Sequence, residues 1–371
     1  MRARQLLLVA SLALGVALLA AAGCGSADHT ATAKSWLGFG VDRWPGADWR
    51  PYADSSPFNQ PIAARVRVHP RSRAIVARLL SWGPPASLVA GANDTPDDYA
   101  HPTYYAKSTD PLYRLRSTHS WSRSPIDGAR IRIPSAARPA SGGDGHMTVV
   151  ESDGWEYDFW RVSTKPRGGG TLRYEIGGRI RIDGSGLRAK GTAAGFGNLA
   201  GIIRAPELAA GRIDHALFLV VRCTSRDRSF GYGVQRRHQD GSFVYPASAG
   251  AARCGSGDAD APPTGARLQL AMSDAQIDGL ALPAWKQAIL RALARYGGYV
   301  GDTGGPGFGV MIESSTTYTA FGRPDLLLRF AQQRHATGLD AVDEYFGRYT
   351  FDLADGVDWA RYLRVVVPPK R

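Results

Sequence analysis

The sequence predicts a mainly β fold, an antiparallel β-sandwich that is jelly-roll-like and carries a few peripheral helices. Strand-like runs broken by Gly, Pro, Asn and Asp follow one another over most of the chain, and helical patterns concentrate in the last third. The 44 glycines and 23 prolines among 371 residues exclude long helical bundles and coiled coils. No repeat or linker divides residues 36–371, so we expect a single domain there.

The predicted elements follow in chain order. A helix comes first, because apolar residues recur at helical spacing over residues 72–82. The expected strands lie at residues 124–134, 146–151, 156–160, 172–176, 180–183, 215–223, 243–245 and 267–270. Further helices are expected at residues 273–278, 283–296, 324–334 and 340–349.

Turn residues and apolar runs justify these assignments. Asp153-Gly154 is a strong hairpin turn between the strands at 146–151 and 156–160, and a glycine-containing loop at residues 177–179 predicts a second hairpin. The continuous apolar run at 215–223 suits a strand buried on both sides. The helix at 283–296 carries one apolar stripe, which consists of Trp285, Ile289, Leu293 and Tyr296.

The N-terminus has the pattern of a secretory signal peptide. Arg2 and Arg4 precede an apolar run, and small residues lead up to Cys24. The segment LAAAGC also resembles a bacterial lipobox, in which the cysteine thiol receives a diacylglycerol. We therefore expect residues 1–23 to be removed, Cys24 to carry the lipid, and residues 24–35 to form a flexible tether. The mature protein would then be anchored at the outer face of the cytoplasmic membrane.

The two remaining cysteines, Cys223 and Cys254, are predicted to form a disulfide, because an even number of thiols in an exported chain usually pairs. The sequence contains no Cys-x-x-Cys, His-x-x-x-His or His-Glu-x-x-His pattern. We therefore predict no metal site of these types and no cofactor.

The formal net charge of +12 at pH 7 favours anionic partners such as acidic glycans, phosphate-rich wall polymers or membrane surfaces. A simpler interpretation is a solvated basic surface. The basic residues are scattered, and no zinc-finger, RRM or basic-helix pattern is present, so nucleic acid is not an expected partner. We expect a monomer that contacts the membrane through its lipid.

The first hairpin carries the acidic cluster on which the functional prediction depends. Pairing Glu151 with Glu156 places both carboxylates on one face of the two strands, together with Asp158 and Trp160. Like charges at this spacing are destabilising, so the cluster calls for a function. The opposite face, which is predicted to be core, then holds Thr148, Val150, Tyr157 and Phe159.

Glycoside hydrolysis would explain such a cluster. It requires two carboxyl groups about 5 Å apart in retaining enzymes or about 6.5 to 9.5 Å apart in inverting ones. Glu151 and Asp158 are the candidates for acid and for nucleophile or base, Trp160 is the candidate sugar platform, and His146 is expected to position or tune a carboxylate. Further substrate contacts are expected from Glu156, His215 and Asp302.

Three other interpretations of these residues stay open. A polysaccharide lyase needs a base such as His146, His215 or Tyr157, and an arginine that neutralises a uronate carboxylate. A calcium ion also suits carboxylates at this spacing. A solvated outer face with arginine partners needs no function at all.

Several blocks of the sequence resemble a family of secreted actinobacterial proteins. They are GGDGHMTVV, YDFW, RIDG, GFGNLAG, GRIDHAL, APPTGAR and residues 296–305, and the resemblance covers residues 56–322. It implies a β-sandwich, jelly-roll-like fold and action on carbohydrate, but no particular catalytic residues. Two departures stand out: residues 229–241 look inserted, and the lipobox implies tethering where many relatives are freely secreted.

These observations predict an exported, lipid-anchored protein that cleaves extracellular polysaccharide, with glycoside hydrolysis ahead of polysaccharide lyase chemistry. The competing hypothesis is a non-catalytic lipoprotein. It would bind the cell wall or an anionic polysaccharide through its basic surface and exposed aromatic side chains.

Overall fold

The architecture comes from a computed structural model, which describes residues 36–91, 99–119, 124–225, 242–255, 258–338, 342–345 and 347–367. The strands are β1 Leu88–Ala90, β2 Thr103–Tyr105, β3 Leu112–Ser117, β4 Arg130–Arg132, β5 Met147–Val150, β6 Trp155–Trp160, β7 Gly170–Tyr174, β8 Ile176–Arg181, β9 Leu217–Val221, β10 Arg267–Leu270, β11 Gly298–Thr303, β12 Phe308–Val310, β13 Val342–Tyr345, β14 Arg348–Phe351 and β15 Leu363–Val366. The helices are α1 Ser72–Ser81, α2 Ala205–Ala210, α3 Asp274–Asp278, α4 Ala284–Arg295, α5 Thr316–Thr319, α6 Leu326–Ala336 and α7 Trp359–Tyr362.

The strands form four sheets, in the orders β2-β5-β6-β8, β4-β3-β7, β12-β9-β11-β10-β15 and β1-β14-β13. We call the first the central sheet and the second the outer sheet. The mainly β prediction is confirmed. The sheets are mixed as well as antiparallel, because β2 with β5, β3 with β7 and β9 with β11 pair in parallel.

The outer and central sheets face each other across one apolar core. Alternate residues of each strand point into it, as the period of two in a strand requires. All of its large members are almost fully buried, and each such side chain contributes about 1.5 to 3 kcal/mol by leaving water. The outer sheet supplies Tyr113, Leu115, Ile131, Leu172 and Tyr174, and the central sheet supplies Tyr104, Met147, Val149, Tyr157 and Phe159.

A second, larger core lies between the five-stranded sheet and the helices. The predicted stripe on α4 packs there through Trp285, Ile289 and Leu293, all almost fully buried. The helix ends before Gly297, whose φ of +70° and close approach to the Leu268 carbonyl admit no side chain. The helices predicted at 72–82, 273–278, 283–296 and 324–334 are thus present as α1, α3, α4 and α6.

Three predicted elements are wrong. The second hairpin does not form, because β7 pairs with β3 of the outer sheet while β8 pairs with β6 of the central sheet. The loop predicted at residues 177–179 therefore lies inside β8. The strand predicted at 243–245 is only an isolated bridge between Phe243 and Thr264.

The helix predicted at 340–349 is also absent, since β13 and β14 form a local antiparallel hairpin there. Pairing of β14 with the distant β1 extends this hairpin into a sheet, so tertiary pairing overrides the helical pattern.

The predictions for the signal peptide, Cys24 and the tether fall on residues 1–35, and the inserted stretch falls on residues 229–241. Both segments lie outside the described residues. Among the residues that the structure describes, no helix has the length and apolar character needed to span a bilayer.

The predicted disulfide between Cys223 and Cys254 is confirmed, and it joins residues 31 positions apart. Cys223 comes shortly after β9, and its partner belongs to the segment that pairs with Thr224. The bond therefore ties an irregular segment to the end of a buried strand.

We predict that replacing both cysteines by serine lowers the free energy of unfolding by about 3 to 4 kcal/mol, because the closed loop of 31 residues restricts the unfolded chain. Denaturant unfolding of the double variant, compared with that of the oxidised protein, measures the difference. A change below about 1 kcal/mol would show that the unfolded chain is already restrained there.

Candidate functional site

The hairpin of β5 and β6 positions the candidate site, and its register differs from the predicted one by one residue. Val150 pairs with Glu156 and Thr148 pairs with Asp158. The chain turns through a three-residue loop that ends in Gly154 at φ +85°, so Glu151 lies opposite Trp155. A one-residue shift moves side chains to the other face of a strand.

This register separates the predicted catalytic pair. Glu151 points towards the outer sheet, where its carboxylate accepts a 2.6 Å hydrogen bond from the backbone N–H of Arg132. Asp158 and Glu156 point to the opposite face of the central sheet, together with Thr148 and Val150. The prediction that Glu151 shares a face with Asp158 is therefore wrong, whereas Glu156 and Asp158 do share one.

Glu156 and Asp158 form a buried acid pair, the name we use below. Both side chains are fully buried and hydrogen-bonded to each other. The Tyr52 hydroxyl donates to Glu156 at 2.9 and 3.1 Å, and the Leu199 N–H donates to it at 3.2 Å. Asp158 accepts from the Thr148 hydroxyl at 3.1 Å and from the Asn198 N–H at 3.2 Å.

Burial determines the protonation of this pair. It raises the pKa of Glu156 to about 7 and raises the pKa of Asp158 well above its usual value, and the charge of Glu156 raises the latter further. Ionising both of two adjacent buried carboxyl groups costs too much free energy, so the two groups share a proton at neutral pH. Gly191 and Gly197 make the close packing feasible, because a Cβ on either would lie 2.2 Å from Asp158 or Tyr52.

The peptide group between Asn198 and Leu199 connects the buried acid pair to a pair of histidines. Its N–H, that of Leu199, donates to Glu156, and its carbonyl, that of Asn198, lies 3.2 Å from Nδ1 of His101. A carbonyl only accepts, so Nδ1 carries the proton and Nε2 is left as the acceptor nitrogen. The rings of His101 and His146 are 4.2 Å apart. Burial lowers the pKa of His101 to about 4 and that of His146 below its usual value, so both are neutral.

Two of the predicted site residues meet at Asp144. Trp160 donates its indole N–H to the Asp144 carboxylate at 2.9 Å, and Nε2 of His146 lies 4.0 Å from the same carboxylate. The charge of Asp144 also reaches a third predicted residue: burial and this charge raise the pKa of Asp302 to about 6. The Arg161 guanidinium lies over one face of the Trp160 ring, 4.7 Å from its centre.

A narrow pocket opens on the other side of His101. Its walls are largely aromatic, and its volume of about 30 Å³ accommodates one or two water molecules. We call it the aromatic pocket. It is lined by Trp44, Pro45, Trp49, Pro51, His101, Thr103, Tyr105, Leu199, Ile202, Arg204, Glu313, Thr317 and Tyr318.

Glu313 is the one carboxyl among the described residues that line this pocket. It accepts hydrogen bonds from the Ala205 N–H at 2.7 Å and from the Tyr318 hydroxyl at 2.8 Å. Burial nevertheless raises its pKa to about 7. A carboxyl that holds its proton near neutral pH is suited to donate it in a reaction.

Arg204 contributes a guanidinium group to the pocket lining. Its guanidinium is paired with Glu207 at 2.8 Å and lies 5.4 Å from the centre of the Trp49 ring. Burial alone would raise the pKa of Glu207, but Arg204 and His215 outweigh it and lower that pKa to about 2. His215, predicted as a substrate contact, is therefore placed behind the pocket wall, 3.1 Å from Glu207.

Tyr157 also lies away from the predicted role. It belongs to the core between the outer and central sheets, and its hydroxyl accepts from Arg179 at 3.3 Å. The structure thus groups His146, Trp160 and Asp302 in one place, pairs Glu156 with Asp158 behind it, and leaves Glu151 and Tyr157 on the outer-sheet side.

Sequence reasoning missed most of the pocket. His101, Arg204 and Glu313 are far apart in the chain and carry no local motif, so only the tertiary fold brings them together. The block GFGNLAG held one usable signal, because its glycines and Asn198 mark a backbone packed against other groups.

The described residues offer one group of three adjacent metal-ligand side chains, Cys223, Cys254 and Asp258, but its sulfurs form the disulfide. The hairpin carboxylates do not form such a group among these residues. This geometry gives no support to the calcium interpretation.

Comparison with known proteins adds no assignment: no protein-family model, curated protein or solved structure matches the chain. The resemblance to secreted actinobacterial β-sandwich proteins therefore stays a prediction.

We predict that the free energy of unfolding of the protein, minus that of its Glu156→Gln variant, falls as the pH rises from about 4.5 to about 7. The folded state holds the Glu156 proton more tightly than the unfolded state does. The resulting stabilisation is therefore complete below the pKa of Glu156 in the unfolded state, and it is lost as the pH rises through the pKa in the folded state. The difference should change by roughly 3 kcal/mol across this range.

Denaturant unfolding at a series of pH values measures this change, and Asp48→Asn, at an exposed ion pair with Arg212, is the control. The control should show a much smaller dependence on pH in this range. A pH-independent difference for Glu156→Gln would contradict a shared proton in the buried acid pair.

Proposed function

We propose that this protein is an exported, lipid-anchored enzyme that cleaves an acidic extracellular polysaccharide by acid–base catalysis in the aromatic pocket. The observation that carries the proposal is the pairing, on one pocket wall, of a carboxyl with a pKa of about 7, Glu313, and a neutral imidazole, His101. The proposal includes the jelly-roll-like sandwich expected from the sequence, which the face-to-face packing of the outer and central sheets supports.

The walls of the pocket suit carbohydrate. Trp44, Trp49, Tyr105 and Tyr318 provide flat apolar faces with polar edges, a combination that binds the two-sided surface of a sugar. The basic character of the chain favours an acidic polymer.

Elimination from a uronate fits the pocket best. Arg204 stabilises the sugar carboxylate, and Nε2 of His101 takes the proton from the carbon next to it. The electron pair released forms a carbon–carbon double bond, and the glycosidic carbon–oxygen bond breaks. Glu313 gives its proton to the departing oxygen.

Glycoside hydrolysis, which the sequence placed first, fits less well. It requires two carboxyl groups flanking the bond, about 5 to 9.5 Å apart. Among the described lining residues Glu313 is the one carboxyl, and the buried acid pair lies behind Leu199. We therefore place elimination first and hydrolysis second.

The pocket must widen to admit a sugar ring, because about 30 Å³ is too small for one. The coil of residues 36–51 forms one wall, and Trp44 packs edge-on against Tyr318 at 4.8 Å. Exposed ion pairs of Asp42 with Arg323, at 2.6 Å, and of Asp48 with Arg212 hold this coil, and the buried Arg204 guanidinium donates hydrogen bonds to its Gly46 and Trp49 carbonyls. Each exposed pair is worth about 0.2 to 1 kcal/mol, whereas the bonds to Arg204 must be broken or replaced by the substrate when the coil moves.

We predict that the protein releases unsaturated fragments from a uronate polymer such as polygalacturonate, and that Glu313→Gln and His101→Ala each lower the rate by about 100-fold or more. Mass spectrometry of the products distinguishes elimination from hydrolysis, since hydrolytic fragments have gained water. Glu175→Gln, at an ion pair outside the pocket lining, is the control and should be fully active. Full activity of both pocket variants would sink the proposal.

We also predict a bell-shaped pH profile for cleavage, with limbs near pH 4 and pH 7. His101 must be unprotonated, which requires a pH above its pKa, and Glu313 must be protonated, which requires a pH below its own. Initial rates measured across this range test the assignment. A rate that keeps rising above pH 8 would exclude Glu313 as the acid.

The alternative to an enzyme is a non-catalytic binding lipoprotein, and the small volume of the aromatic pocket favours it. In that case the polymer would be retained without fragments. Retention through exposed charges would weaken with salt, because ionic strength screens them.

A further inference from the structure

The outer sheet turns an unusually basic surface to the solvent. Side chains on the face opposite the core include four exposed arginines and one half-buried arginine. We call this surface the arginine face, and it consists of Arg114, Arg116, Arg130, Arg132 and Arg173.

The strand register places these arginines next to one another. Arg114 of β3 lies directly opposite Arg130 of β4, and Arg116 lies directly opposite Arg173 of β7. Side chains opposite each other on a sheet have Cβ atoms about 4.5 to 5.5 Å apart, and like charges there are destabilising. The sheet therefore carries two cross-strand pairs that oppose its own stability.

The described residues neutralise little of this charge. Asp127 lies 3.6 Å from Arg116, and Arg132 donates to the Asp110 carbonyl at 2.6 Å. The side chains of Arg114, Arg130 and Arg173 make no ion pair or hydrogen bond within the described part of the chain.

Some other surface arginines have acidic partners. Ion pairs hold Arg50 to Asp54, Arg71 to Asp260, Arg78 to Asp258, Arg212 to Asp48, and Arg323 to Asp42. The exposed side chains of Arg65, Arg67 and Arg73 make no such pair within the described residues, so what distinguishes the arginine face is the strand register that sets arginine opposite arginine.

We propose that the arginine face binds the carboxylates of an acidic polysaccharide and holds the polymer whose cleavage we assign to the aromatic pocket. The choice of polymer rests on the proposed function. Guanidinium groups grip carboxylates with two parallel hydrogen bonds. Adjacent strands are about 4.8 Å apart, so the face presents a flat row of such groups to a polymer that carries a carboxylate on each sugar.

The arginine face is a separate surface from the pocket. It lies on the outer side of the outer sheet, whose inner side packs against the central sheet through Tyr113 and Leu172. The pocket lies beyond the central sheet, where Thr103 and Tyr105 of β2 line it while Tyr104 faces the core between the two sheets. Binding and cleavage can therefore be changed independently.

The test compares two triple variants of the full chain on immobilised polygalacturonate. Arg114, Arg130 and Arg173 are replaced by Gln in one, and the exposed residues Arg65, Arg67 and Arg73 are replaced by Gln in the other, so that both lose three charges. We expect the first to bind about tenfold more weakly and the second to bind nearly as the parent does, because each exposed ion pair contributes less than about 1 kcal/mol.

Several outcomes would overturn the proposal: equal losses in the two variants, which would show that only net charge matters; no binding by the parent; or binding confined to polyphosphate or to phosphatidylglycerol vesicles. Circular dichroism and thermal unfolding establish that the variants fold, and loss of the like-charge pairs should leave the melting temperature unchanged or raised.

A cleavage assay on short uronate oligomers separates this proposal from the proposed function. The arginine-face variant should cleave short oligomers at the parent's rate, because they are held by the pocket alone. Glu313→Gln should lose cleavage and keep retention. No cleavage by the parent, together with the expected binding losses, would refute the enzyme and leave the binding surface standing, and unaltered cleavage by Glu313→Gln would refute only the assignment of Glu313 as the acid.

Discussion

The burial of two carboxyl groups side by side is the constraint around which the central part of the structure is organised. Glu156 and Asp158 cannot be exposed to solvent without leaving β6. They also cannot be buried unless hydrogen-bond donors compensate for the loss of water. Tyr52 from the N-terminal coil, Thr148 from β5 and the backbone of Asn198 and Leu199 supply them. The acid pair therefore fixes how two separate segments, the coil with Tyr52 and the loop with Asn198 and Leu199, approach the central sheet.

The reacting groups that we propose depend on this arrangement. Because the Leu199 N–H is held by Glu156, the peptide group that it shares with Asn198 directs the Asn198 carbonyl to His101 and so determines which ring nitrogen carries the proton. Glu313 is held independently, by the first N–H of α2 and by Tyr318. On the wall that these two bridged residues share, His101 is thus positioned from the central sheet and Glu313 from the helical part of the chain.

The features predicted correctly from the sequence are those that depend on residues close together in the chain or on residue type alone. The apolar stripe of α4 follows from the spacing of nearby residues, and the disulfide follows from the even number of cysteines expected in the exported chain. The alternation of side chains along β6 correctly placed Glu156 and Asp158 on one face. The pairing of Glu151 was wrong, because a loop of three residues or of four gives opposite faces and both accept Asp-Gly. His101 and Glu313 belong to distant segments, and no periodicity relates them.

The wall of the aromatic pocket joins the two ends of the described chain, and this has a consequence for the order of folding. Trp44 packs against Tyr318, and Val68 pairs with Val366, so contacts of very long sequence separation close the structure. Contacts between residues far apart in the chain form slowly, because closing the long loop between them costs conformational entropy before the contacts stabilise the structure. The β5–β6 hairpin is local and forms early, whereas the pocket exists only once the final third of the chain has docked. A chain halted before residue 313 would lack Glu313, Thr317 and Tyr318, and with them one wall of the pocket.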